Sequence, residues 1–273
     1  NTASVTNMQA MFYGFSAYNH PLPSSFNTAN VTDMSYMFAF CSAYNQPLPS
    51  SFNTAKVTDM SFMFRDCSTY NRALPSSLNT VSVRNMLQMF ENCSVYNQAL
   101  PSSFNTASVE DMSEMFFGCS AYNQALPSSF STASVRNMYA MFYGCSSYDQ
   151  ALPSSFNTAN VTDMSLMFFG CSAYNQAFPS NFTTASVTNM SIMFSGAAAF
   201  DQNLGALNLE KTTSMTDMLK NSGLSIDNYD ATLIGWNTAG YTNKNLGDAS
   251  PLHYCTAQSA RNNIIANKGW RSS

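Results

Sequence analysis

Residues 27–52 read N-T-A-N-V-T-D-M-S-Y-M-F-A-F-C-S-A-Y-N-Q-P-L-P-S-S-F, and versions of this 26-residue stretch recur along the chain. Its first methionine, its second methionine and the phenylalanine that follows each repeat at the same spacing. The first-methionine positions are Met8, Met34, Met60, Met86, Met112, Met138, Met164 and Met190. A fixed period of this length is typical of a solenoid, in which each unit buries its apolar face against its neighbours. We call each unit a coil and name each column of equivalent residues by its number in the second coil.

The first half of each coil has a helical spacing of apolar residues. Val31, Met34, Met37 and Phe38 follow the pattern i, i+3, i+6, i+7, which predicts one face of a short helix or 3₁₀-like turn. Column 30 is Ser or Asn in seven of the eight coils and is followed three residues later by Asp or Asn, a pattern typical of a helix start. Column 40 is mostly Gly, Asp or Asn, which favours a left-handed residue where the helix ends.

The second half of each coil has the alternation of a strand. Residues 41–48, C-S-A-Y-N-Q-P-L, predict a short strand parallel to its equivalents, with Tyr44 and Leu48 facing inward. The predicted fold is therefore an α/β solenoid of about eight coils over residues 1–204. Residues 205–273 are expected to form a shortened last repeat and a helical C-terminal cap. One cap helix should begin after Ser225 and end near Gly240, and a second should close at Gly269.

Three polar columns suggest structural roles. Asp149 and Asp201 replace asparagine in column 45, so the side-chain oxygen there is predicted to accept backbone N–H groups. The threonines of column 28 could cap the helix or decorate a face. Column 41 holds six cysteines, and because their side chains point the same way we expect buried free thiols in preference to disulfides. They are Cys41, Cys67, Cys93, Cys119, Cys145 and Cys171.

Composition excludes several classes of function. Lys and Arg number 11 against 15 Asp and Glu, so the net charge of -4 provides no basic field for nucleic acid. No apolar run is long enough to cross a membrane, and we expect no metal or other cofactor, because His20 and His253 stand apart from any cluster of ligands. No nucleophile has a base beside it and no phosphate loop is present, so we expect no enzymatic activity. The chain begins within a coil, without an initiator Met or a signal peptide, which suggests a processed or partial sequence.

The repeats resemble a known family. The motifs N-V-T-D-M-S-Y-M-F and S-A-Y-N-Q-A-L-P, with the ending D-N-Y-D-A-T-L-I-G-W and then K-G-W, are similar to the BspA-like 26-residue-repeat surface proteins, which carry a domain of unknown function. The resemblance covers nearly the whole chain. It implies a leucine-rich-repeat-like solenoid, a secreted or cell-surface location and a role in adhesion or interaction, and it implies no catalytic residues.

The function predicted from these observations is an extracellular interaction, adhesion or scaffold module that binds a protein or glycan surface. Another non-cytosolic lumen is the alternative location. In columns whose residues vary between coils, apolar side chains form a stripe on an otherwise polar surface. We predict that this stripe binds the partner. The alternative is that these side chains pack on one another or on the cap. The stripe consists of Phe117, Tyr139, Tyr143, Leu166, Phe169 and Ile192.

Two other functions stay open at this point. The repeated Asn and Thr columns could match a periodic ligand such as ice or a glycan. The chain could also be a structural subunit of a larger assembly, in which a partner covers the N-terminal end. Pro21 and Pro47 favour a sheet edge at that end, since proline has no backbone N–H to donate to a neighbouring strand. Glycosylation is a further possibility at five N-x-S/T sites: Asn30, Asn92, Asn160, Asn181 and Asn189.

Overall fold

The computed structural model describes residues 2–272, which form a repeat solenoid closed at its C-terminal end by two helices. Successive coils lie in register and each is joined to the next by one parallel bridge in column 33. The bridges pair Asn7 with Asp33, Asp33 with Asp59, Asp59 with Asn85, Asn85 with Asp111, Asp111 with Asn137, Asn137 with Asp163, Asp163 with Asn189 and Asn189 with Ser214. Equivalent residues therefore stack on one another along the solenoid axis.

The predicted helix in each coil is a run of overlapping turns. In the second coil the N–H of Met37 donates to the carbonyl of Met34 at 3.2 Å, and the N–H of Ala39 donates to the carbonyl of Tyr36 at 3.1 Å. A third turn joins the N–H of Cys41 to the carbonyl of Phe38 at 3.0 Å. Of the two predicted forms, a short helix or a 3₁₀-like turn, the segment therefore has turns and no helix, and Met34 and Phe38 point into the core. We call columns 34–41 the turn run.

The turn run bonds to the next coil through alternate N–H groups. Four N–H groups of the second coil donate to carbonyls of the third at 2.7 to 3.0 Å: Met34 to Asp59, Tyr36 to Ser61, Phe38 to Met63 and Phe40 to Arg65. Columns 36 and 40 have positive φ in all eight coils, for example 58° at Tyr36 and 63° at Phe40. The left-handed prediction for column 40 is confirmed, and it holds even for Phe40.

The predicted strand over residues 41–48 is not formed, because the coils are joined there mainly by side chains, beside a single backbone bond from the N–H of Ala43 to the carbonyl of Ser16 at 3.0 Å. The N–H of Asn45 donates to Oδ1 of Asn19 at 2.9 Å, and the N–H of Asn71 donates to Oδ1 of Asn45 at 3.1 Å. The same bond continues up the column to Asp201, whose Oδ1 accepts the N–H of Ser225 at 2.8 Å. The acceptor prediction for column 45 is thus confirmed.

The other polar columns also join coils. Thr28 is buried, and its Oγ1 donates to the carbonyl of Asn53 and accepts the N–H of the same residue, both at 2.7 Å. It therefore neither caps a helix nor decorates a face. In column 33, Oδ1 of Asp33 accepts the N–H of Ser35 at 2.8 Å, and in column 30 Nδ2 of Asn30 donates to the carbonyl of Ala3 at 2.9 Å. The sequence pattern taken for a helix start is thus an Asx turn beside an inter-coil bond.

The core is a set of stacked side chains. Columns 34, 37, 38, 41 and 44 are fully buried in coils two to seven, where they hold Met, Met, Phe, Cys and Tyr. All six column-41 cysteines are free, and each Sγ donates to a phenylalanine carbonyl of the preceding coil at 2.9 to 3.1 Å. Burial raises the pKa of the Cys41 thiol to about 11 and raises the pKa of the other five as well. These thiols stay protonated and unreactive.

The C-terminal part closes the solenoid. Helix α1 spans Ile226–Ala239, strand β1 Asn245–Gly247, helix α2 Gln258–Ala266 and strand β2 Arg271–Ser272, and β1 pairs in parallel with β2. Ser225 caps α1 and Gly240 ends it in a left-handed conformation, as predicted. Trp236, a residue of α1, is fully buried, and its Nε1 donates to the carbonyl of Leu204 at 3.0 Å. Ile226, in the first turn of α1, is 47% exposed.

Candidate interaction surface

The outward-facing side chains of the turn run are where the coils differ most. We call the surface formed by columns 35, 36, 39 and 40 the turn face. Phe117, Tyr143 and Phe169 occupy column 39 in three successive coils and stack almost parallel there, with ring centroids 4.2 Å and 4.6 Å apart. All three are half-buried. We call these three residues the aromatic ladder.

The other predicted stripe residues lie on the same face and in neighbouring columns. Tyr139, in column 35, is 37% exposed. Leu166 and Ile192 are half-buried in column 36, with φ of 60° and 62°. The structure therefore brings all six predicted residues onto one face of the fifth to eighth coils. The rings do pack on one another, but within the described residues no ring contact joins them to the cap.

A polar band precedes the aromatic ladder along the solenoid axis. It consists of Arg65, Asp66, Gln88, Glu91 and Glu114. Arg65 Nε lies 2.9 Å from Glu91 Oε2 and 3.2 Å from Asp66 Oδ2, and Arg65 also donates to Oε1 of Gln88 at 3.0 Å. Glu91 is only 6% exposed, and burial raises its pKa to about 7 against the opposing effect of Arg65.

A second aromatic group lies on the other side of the polar band, and the sequence analysis missed it. It consists of Tyr13, Tyr36, Phe40 and Phe62, which we call the N-terminal aromatic cluster. Tyr36 and Phe62 stack at 4.2 Å, Tyr13 meets Phe40 edge-on at 5.3 Å, and the Arg65 guanidinium lies 5.5 Å from the Phe40 ring centroid. A comparison of columns 36, 39 and 40 in the first three coils would have revealed it.

Five amide groups that could carry glycans are engaged in bonds between coils. The Nδ2 atoms of the five N-x-S/T asparagines each donate to an oxygen of the preceding coil. The acceptors are the carbonyl of Ala3 for Asn30, Oδ1 of Asp66 for Asn92, the carbonyl of Ala133 for Asn160, the carbonyl of Ser154 for Asn181 and Oδ2 of Asp163 for Asn189. The recurrence of the motif thus has a structural explanation.

The columns suggested for a periodic ligand are also engaged. The threonines of column 28 are buried from the second to the eighth coil. The Oδ1 atoms of column 45 accept N–H groups and, in several coils, the Nε2 of a glutamine. Binding of ice or a glycan through these columns stays a prediction, with few of their polar groups left free for it. Among residues 2–272 there is no group of three or more metal-ligating side chains, and no helix is both long and apolar enough to cross a bilayer.

Comparison with protein families gives one result. The sequence matches the family described as "Mycoplasma protein of unknown function, DUF285" over residues 1–100, 75–178 and 150–246. The chain belongs to this family. Three overlapping matches are expected for a DUF285 member with internal repeats, since the family pattern can be aligned with several different sets of consecutive coils. No curated protein and no solved structure matches the chain.

Proposed function

We propose that the chain is a non-enzymatic interaction module that binds a protein partner through the turn face. The observation that carries this proposal is the aromatic ladder, because its three stacked rings are left half-buried, whereas the aromatic residues of columns 38 and 44 are fully buried in coils two to seven. Aromatic residues on a polar surface are typical of interaction sites. The resemblance to BspA-like surface proteins supports a leucine-rich-repeat-like relationship, a secreted or cell-surface location and a role in adhesion.

The stacking favours a protein over a glycan as the partner. Tyr143 lies between Phe117 and Phe169 at 4.2 and 4.6 Å, so both of its faces are covered and only its edge reaches the surface. A partner therefore meets ring edges together with the aliphatic side chains of Leu166 and Ile192. Apolar side chains fit such a surface by packing between the edges.

Site-specific cross-linking tests the proposal. A photoreactive phenylalanine analogue at Tyr139, the most exposed of the six residues, should cross-link a discrete partner in native material. The change Tyr143→Ser with Phe169→Ser should abolish the cross-link while thermal unfolding stays cooperative. The matched control is Val81→Ser with Val95→Ser, which removes apolar side chains that are 46% and 44% exposed outside the turn run. Equal cross-linking by both double variants would refute the turn face as the binding surface.

The structural-subunit alternative rests on the opposite observation, an open face at the first coil. Met11, Tyr13 and Phe15 are 42%, 50% and 58% exposed there. An assembly in which a partner covers that face would bury these three side chains. It is compatible with binding through the turn face, because the two surfaces involve largely different residues.

A further inference from the structure

A cleft lies between the seventh and eighth coils, at the bend that ends each coil in columns 47–52. We call it the bend cleft. Its volume is about 320 Å³, and Phe178, Phe182, Gln202, Asn203 and Leu207 are among the residues that line it. This volume is within the range of about 300 to 1,000 Å³ that is typical of small-ligand sites. The lining includes no residue of the turn face, so the cleft is a separate candidate site.

The cleft arises because the eighth coil has a bend one residue shorter than the others. In the second coil P-S-S-F separates Leu48 from Asn53, whereas in the eighth coil only G-A-L separates Leu204 from Asn208. The two asparagines are equivalent, because the carbonyl of each accepts a column-28 Oγ1. In regular bends a serine joins neighbouring coils, as where Oγ of Ser155 donates to a carbonyl of the preceding coil at 2.8 Å. The shortened bend has no serine and is not joined to the seventh coil in this way.

Helix α1 holds the shortened bend from the other side. The N–H of Leu204 donates to Oγ1 of Thr232 at 2.9 Å, and the carbonyl of Leu204 accepts Nε1 of Trp236 at 3.0 Å. Gly205 and Gly235 pack so closely that a Cβ added to Gly235 would lie 2.6 Å from the Cα of Gly205. The wall of the cleft that the eighth coil forms is therefore fixed before any ligand binds, which lowers the cost of binding.

Two phenylalanines form the opposite wall. Phe178 and Phe182 stack with ring centroids 4.2 Å apart, and both are half-buried. Their equivalents in the first six coils, leucine in column 48 and phenylalanine or leucine in column 52, are at most 6% exposed. Phe178 also packs on the core ring of Phe194 at 6.0 Å. Within the described residues Phe178 is the only ring in contact with Phe182, so no ring covers the second face of Phe182.

The polar groups that line the cleft are neutral and partly unused. Nε2 of Gln202 donates to Oδ1 of Asn175 at 2.8 Å, and Oδ1 of Asn203 accepts the N–H of Gly205 at 2.8 Å, so both amide groups are held in place. Their other atoms, Oε1 of Gln202 and Nδ2 of Asn203, make no hydrogen bond to any residue that the structure describes. None of the described residues that line the cleft is charged.

We propose that the bend cleft binds a neutral pyranose ring of a glycan. The C–H groups on one face of such a ring pack on the face of an aromatic side chain, where the quadrupole is negative, and Phe182 provides that face. Sugar hydroxyls both donate and accept, so they can bond to Oε1 of Gln202 and Nδ2 of Asn203. An apolar side chain of a protein would leave both of these groups unpaired. A charged ligand would lose its hydration without gaining a counter-charge.

Saturation-transfer NMR on the full chain tests the proposal. The probes are the methyl glycosides of glucose, galactose and mannose, and p-cresol serves as an apolar ring. The variant Phe178→Leu with Phe182→Leu removes both rings. It should fold, because the chain itself has leucine in the same columns at Leu152 and Leu78. The matched control is Phe104→Leu, which makes the column-52 change in the fourth coil, where the ring is fully buried.

At least one glycoside should receive saturation on the C–H protons of one ring face. The double variant should weaken its binding about tenfold or more, while Phe104→Leu leaves it unchanged. Binding of none of the three glycosides would overturn the proposal, and so would equal binding by the parent chain and the double variant. Saturation of p-cresol without any glycoside would also overturn it and would assign the cleft to an apolar side chain. Each of these outcomes leaves binding through the turn face untouched, since the cleft shares no residue with it.

Discussion

Replacing Glu91 with Gln should remove a fall in stability that we expect of the parent chain between about pH 4.5 and 7. Burial raises the pKa of Glu91 to about 7 from an ordinary value of 4.5. The folded protein therefore holds the proton more tightly than the unfolded chain. A group of this kind contributes its stability in full below the unfolded-state pKa, and that contribution is lost as pH rises through the folded-state pKa.

The structure sets the size and the cause of the effect. Glu91 is 6% exposed, and its Oε2 meets Arg65 Nε at 2.9 Å as an ion pair without hydrogen-bond geometry. Arg65 is shared with Asp66, so it compensates only part of the cost of burying a charge. The difference between the two pKa values corresponds to at most about 3 kcal/mol. The carboxylates whose pKa is lowered, Asp201, Asp230 and Asp248, titrate below this window.

Urea unfolding at pH 4, 6, 7 and 8 measures the effect as a difference between proteins. Glu91→Gln should match the parent chain at pH 4 and exceed its free energy of unfolding by about 1 to 3 kcal/mol at pH 8. The control is Glu110→Gln, because the Glu110 side chain is 54% exposed and pairs with Arg84 at the surface. Parallel pH profiles for the parent chain and Glu91→Gln would show that the buried carboxyl does not carry the raised pKa.

Three further predictions follow from the stacked columns. Asn97→Ala removes the Oδ1 that accepts the N–H of Asn123 and Nε2 of Gln124, so the free energy of unfolding should fall by about 1 to 3 kcal/mol, and Asn97→Asp should recover most of it. Tyr122→Phe removes a buried hydroxyl that has no partner among the described residues, so calorimetry should show unchanged or higher stability, by up to about 1 kcal/mol, and a clear loss would contradict this. A thiol reagent should modify only Cys255 in the native protein and all seven cysteines after denaturation.

Comparison of equivalent residues between coils predicted the roles of several side chains, because the residues found in a column show which side chains that position tolerates. The exchange of Asn45 for Asp149 in the same column indicated a shared acceptor, and the structure places both oxygens on backbone N–H groups. The shared direction of the column-41 side chains indicated buried free thiols, and the six cysteines are buried and free there. The two ends of α1 could also be predicted, because Ser225 and Gly240 have strong local preferences for the start and the end of a helix.

The backbone path could not be predicted in the same way. An apolar spacing of i, i+3, i+6, i+7 fits a helix, but it fits a succession of turns equally well. What decides between them is whether the N–H groups bond within the segment or to the next coil, and no side chain reports that choice. Column 36 shows the difficulty most clearly. Its left-handed residues include Tyr36, Glu114 and Ile192, which carry no signal for positive φ. Bonds to both neighbouring coils hold them there.

The same bonding pattern explains why the varied residues collect on the turn face. Outside the turn run, side chains such as Asn45 and Thr28 make many of the inter-coil bonds, so their identity is fixed by the stacking. In the turn run four backbone bonds join each coil to the next, so the side chains of columns 36 and 39 are not needed to join the coils. Aromatic, charged and aliphatic residues can therefore replace one another at these columns without loss of register. A ligand that distinguishes one part of the solenoid from another must contact side chains in the columns that differ between coils. For that physical reason we expect recognition on the turn face.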